Sequence, residues 1–150
     1  MELIMSYLAS LGTVIALATV PAPQHVLTVQ HAAGPADVEY RADPSIRYSQ
    51  LGAVAPGGRP STLRCSWSVD LAVNRVATLR EGTMLSRSFV RNGVAEGSRP
   101  GWCDASRTAI EGEVKKRIGS AGRHVEAAAD ADRPVLLAEL DRSISRAQAQ

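Results

Sequence analysis

Residues 65–74 read CSWSVDLAVN, and this stretch decides the fold. Cys65, Trp67, Val69, Leu71 and Val73 alternate with Ser66, Ser68, Asp70, Ala72 and Asn74. A period of two puts one set on a buried face and the other in water, the pattern of a half-buried strand. After the short turn Arg80-Glu81-Gly82, the run from Met84 to Val90 supplies an antiparallel partner. The result is a central hairpin over residues 64–90. Its register stays open at this level, because a slip of one residue sets Val73 opposite either Phe89 or Val90.

Upstream, Val38-Glu39-Tyr40 and Ile46-Arg47-Tyr48 flank Asp43-Pro44-Ser45 and read as a weak hairpin with a turn at Pro44. Residues 52–61 are loop by composition. Downstream, Asn92-Gly93 reads as a second turn and Gly97 to Gly101 as loop. From Cys103 the period becomes helical. Asp104 is the expected N-cap, and Ile110, Val114, Ile118, Ala121, Val125 and Ala128 form one apolar stripe. The stripe keeps its phase through Gly119, so one helix with a weak spot there is expected. A last helix is expected to start near Asp132 or Arg133, with Pro134 in its first turn and Leu136, Leu137, Leu140 and Ile144 on its apolar side. The fold class is therefore α+β: a small antiparallel sheet with two C-terminal helices packed on its Trp67 face.

The compartment is read from the other end of the chain. Leu3 to Val20 carries no charge, and Ala16-Leu17-Ala18 has the small-x-small pattern of a signal-peptidase site. Residues 1–18 are expected to be a signal peptide that engages the membrane during export. An uncleaved membrane anchor is the alternative, since the run is long enough to span. Residues 19–37 read as a linker with a short edge strand at Val26 to Val29. A single domain covers 38–145, and 146–150 is expected to fray. The expected location is periplasmic or secreted.

Cys65 and Cys103 are the only two cysteines. In an oxidising compartment they are expected to form one disulfide, tying the central strand to the start of the helix. Trp102 is expected to cover that junction. The CxxC spacing of a redox or metal pair is absent.

Composition narrows function without naming it. A net charge of +2 with acids interspersed excludes the basic face of a nucleic-acid binder. No serine stands in a Gly-x-Ser-x-Gly elbow, and His25, His31 and His124 show no metal-ligand spacing. No catalytic residue, cofactor or metal is implied. Asp130 and Asp132 read as caps of the last helix. The feature with most character is arginine, of which Arg75 and Arg87 fall in the hairpin and Arg91 directly follows it, Arg87 and Arg91 on one side of their strand. These three are the candidate patch for an anionic envelope component; another protein is the other class of partner. The function expected is a non-enzymatic binding or accessory protein of the cell envelope. The alternatives are a domain held at the membrane by the uncleaved segment and an exported hydrolase pairing two of Asp70, Glu96, Asp104 and Glu126.

Overall fold

A computed structural model describes residues 22–32, 34–57, 61–119 and 121–149. The segment expected to be a leader (residues 1–18) lies outside the described residues. Four strands, β1 (Gln24–Val29), β2 (Ala36–Leu51), β3 (Arg64–Leu79) and β4 (Met84–Pro100), form an antiparallel sheet in chain order. Two helices follow, α1 (Cys103–Ile118) and α2 (Gly122–Gln148). The chain is α+β with the expected disulfide between Cys65 and Cys103. No helix among the described residues is long and apolar enough to cross a membrane.

β3 carries the alternation to its end. Cys65, Trp67, Val69, Leu71, Val73, Arg75, Ala77 and Leu79 are all buried beneath the helices. The hairpin register sets Val73 opposite Phe89. The reversal uses Gly82 at φ +90°, its N–H donating to Leu79 O at 2.9 Å.

Three local expectations are corrected. The Asp43-Pro44-Ser45 segment does not turn; β2 runs straight through it. Ala42 N–H donates to Pro23 O at 3.1 Å, so residues of its parity face the β1 side. β1 begins at Gln24 opposite Arg41, so Pro44 lacks an N–H where there is no ladder to join. Asn92-Gly93 likewise does not end the strand. It forms a bulge: Asn92, Gly93 and Val94 lie between Arg91 and Ala95, opposite Asp70 alone. Gly93 takes φ +64° and donates its N–H to Asp70 Oδ1 at 3.0 Å. β4 therefore continues through the expected loop to Pro100, and the hairpin spans 64–100. Segment 19–37, read as linker, supplies β1 at the place of the Val26–Val29 run.

The helix expectation is also redrawn. Every member of the stripe from Ile110 to Ala128 is buried, but the chain breaks at Gly119 and restarts at Gly122. Glycine has little helical preference, and Lys115, Lys116 and Arg117 sit in the last turn of α1, where cations favour the dipole. α2 then runs unbroken past Asp132 and Pro134 to Gln148, into the tail expected to fray. Asp130, whose carbonyl the Pro134 ring leaves without its helical donor, is exposed to water. Asp104 is not a cap. It lies in the first turn of α1, and the Cys103 N–H donates to Gln50 Oε1 of β2 at 2.8 Å.

The break follows from lengths. A 16-residue strand is about 50 Å long. The 16-residue α1 reaches about 24 Å and covers only part of it. α1 closes one cluster, Ile110, Val114 and Ile118 on Cys65, Trp67 and Val69. α2 closes the other, Val125, Ala128, Leu136 and Leu140 on Leu71, Val73, Val38 and Tyr40. His31, in the β1–β2 connection, bonds Asp141 of α2 at 2.9 Å. Trp102 does not cover the disulfide junction; it is 56% exposed.

Trp67 reaches across β4 because Gly97 has no side chain. A Cβ there would stand 2.4 Å from Trp67 Cζ2, against nothing within 4 Å at Gly112 on α1. Gly97→Ala is expected to destabilise by about 1–3 kcal/mol through overpacking. Gly112→Ala is expected to stabilise by about 0.5–1 kcal/mol. Urea denaturation of both variants checks the pair.

Candidate functional site

Rows of the sheet put charge on its buried face at one place. Tyr40, Arg75 and Arg87 lie side by side across β2, β3 and β4, beneath Asp132 and Glu139 of α2. Arg75 Nη1 donates to Asp132 Oδ2 at 2.8 Å, and Tyr40 Oη donates to the same oxygen at 3.1 Å. Arg75 also donates to Glu139, and Arg87 to Asp132. Arg87 further lies 5.2 Å over the Phe89 ring. Two cations and two carboxylates balance, which is what permits Arg75, Tyr40 and Asp132 to be buried. Burial first, then the Asp132 carboxylate, pushes the Tyr40 hydroxyl up to about 12.

The three arginines singled out as a patch are therefore not exposed together. Arg75 is wholly buried and Arg87 is held by Asp132; only Arg91 is exposed. Asp132 does not cap a helix, since it occupies the apolar stripe of α2 between Ala129 and Leu136. The signal for this network was present. Arg75 continues the buried parity of β3, Arg87 stands between Leu85 and Phe89, and Asp132 is one turn before Leu136. Opposite charges on facing apolar stripes are the mark of a buried pair.

The other face of the sheet carries no covering element among the described residues. Its polar side chains pair locally: Thr28 with Asp37 at 2.8 Å, Arg41 with Glu39 at 2.7 Å, Ser88 with Asn74 at 2.7 Å. Arg47 Nε lies 2.7 Å from Asp70, which also accepts from Gly93 N–H. Between these pairs stand apolar side chains in water: Val26 at 64%, Met84 at 62% and Val90 at 55% exposure. At one end Arg47, Ser49, Ser66, Ser68 and Glu96 line a polar trough of about 410 Å³. Of the four carboxylates considered for acid–base work, Glu96 lines the trough and Asp70 holds its arginine. Asp104 and Glu126 project from separate helices. Among the described residues, no three side chains of the metal-binding types stand together.

No protein-family model matches the chain, and no curated protein or solved structure matches it.

Removing the Asp132 charge leaves Arg75 buried with half its compensation. Asp132→Asn is expected to cost about 3–5 kcal/mol, and Asp130→Asn on the exposed side less than about 0.5 kcal/mol. Chemical denaturation at neutral pH separates them. Tyr40 gives a second expectation, at alkaline pH. Its folded value is raised above the ordinary 10.0, so its contribution is complete below pH 10 and is lost as pH rises to about 12. Unfolding free energy measured across that window is expected to fall, and Tyr40→Phe to flatten the fall.

Proposed function

We propose that the protein works outside the cytoplasm as a non-enzymatic binding or accessory protein of the cell envelope, and that the uncovered sheet face is its docking surface. The observation that carries this reading is that face itself. It holds Val26, Val90 and Met84 exposed, on the face where Arg41 pairs with Glu39 and Arg47 with Asp70 within the chain. A sheet face that leaves apolar side chains in water is one a protein partner can cover. An anionic partner fits less well, because two of the three arginines offered to it are bound to Asp132 and Glu139. The uncharged run at Leu3–Val20 and the closed cysteine pair support the export half of the proposal.

Two measurements test the two halves. The intact mass of protein recovered from cells is expected to lack residues 1–18; retention of the whole segment favours the anchored form. A photo-crosslinking side chain at Val90 is expected to give an adduct with a different protein in living cells, whereas the same group at Ala131, exposed on α2, does not. Equal labelling from both positions, or none from Val90, rejects the docking face.

A further inference from the structure

β1 accompanies β2 only as far as Arg41. Beyond it, residues 43–51 have no strand on that side among the described residues. By the parity that Ala42 establishes, Ile46, Tyr48 and Gln50 turn their N–H and C=O groups to this free edge, and Pro44 contributes its carbonyl alone. An edge of this kind accepts another strand.

α1 lies over β3 and meets the edge strand β2 in a definite register. Cys103 at its start is bonded to Gln50, and Arg107 lies 5.0 Å over the Tyr48 ring. Near its end Val114 and Ile118, with Pro23 and Pro44, line an apolar groove of about 550 Å³. Glu111 and Lys115 stand at the same groove and take no part in ion pairs among the described residues.

The charges on this flank are self-complementary. Asp104, Arg107, Glu111 and Lys115 follow at spacings of 3, 4 and 4, one stripe of the helix, and all four are exposed. Their signs run minus, plus, minus, plus. Read backwards the order inverts, so an antiparallel second copy sets Asp104 against Lys115 and Arg107 against Glu111. Both pairings centre on Ala109 or the bond after it. That point lies between the Tyr48 and Pro44 anchors, over the middle of the free edge. The helix stripe and the strand edge thus share one centre, as a twofold contact requires.

We propose that this chain pairs with a second copy of itself through the β2 edge. β2 lies antiparallel to its counterpart, Ile46 of one copy opposite Tyr48 of the other, and the two four-stranded sheets become one. Both α1 helices stand on the same face and meet through the charged stripe, closing the two apolar grooves. The opposite sheet face stays uncovered, so this contact is separate from the docking surface above and can fail without it.

Sedimentation velocity on the full, oxidised protein at micromolar concentration tests the contact. The wild type is expected at twice the monomer mass. Asp104→Lys with Glu111→Lys makes the stripe wholly positive, and Arg107→Glu with Lys115→Glu makes it wholly negative. Each variant, its fold checked by circular dichroism, is expected at the monomer mass, and an equimolar mixture of the two at twice that mass. A monomeric wild type, charge variants that remain dimeric, or a mixture that stays monomeric overturns the proposal.

Discussion

One face of β3 is buried for the whole strand, apolar at every position but Arg75, and a strand of that length outreaches α1 by about twofold. From that constraint the rest of the architecture follows. The chain covers the face in two pieces and breaks the helical segment at Gly119, where glycine makes the interruption cheap. Two clusters result, joined through Val94, which packs against both. The sheet marks the same boundary, since the bulge opposite Asp70 falls between Val69 of one cluster and Leu71 of the other.

Each half is fastened by a different bond. The α1 half is closed covalently by Cys65–Cys103, with Cα atoms 4.8 Å apart. For a cross-link 38 residues apart, the chain-entropy account gives about 4 kcal/mol of stabilisation through the unfolded state. The α2 half is closed by charge. Asp132 receives Tyr40, Arg75 and Arg87 together, so that only one rotation and one translation of α2 on the sheet satisfies all three. A buried pair adds little net stability over apolar residues of the same size, but a helix seated one turn away would bury bare charges. It also keeps Arg75 and Arg87, two of the three arginines considered for a partner, on the covered side of the sheet.

The central strand, its partner, the disulfide and both helix faces were legible because each rests on a periodic pattern or on a count of two. What the sequence left obscure shares one cause: residues with a strong local habit were used for something else by the tertiary structure. Pro44 and Asn92-Gly93 have turn chemistry, yet one sits harmlessly on an open edge and the other serves a bulge that feeds an N–H to Asp70. Pro134 marks a helix start by habit and is carried in mid-helix, where the seating of Asp132 and Leu136 on the sheet outweighs the lost hydrogen bond. Arg75 and Asp132 looked like solvent groups when taken singly. Only their shared place on facing apolar stripes marks them as partners, and that is a relation between segments 57 residues apart. Of the face proposed for docking, the alternation announced a water-facing side but not that no described element covers it.

The claim that the two halves are fastened separately is tested most directly by hydrogen exchange of the oxidised and the reduced protein. Reduction is predicted to strip protection from α1 and from residues 65–69 while α2 and residues 71–79 keep theirs. Uniform loss across both halves, or no change in α1, would contradict it.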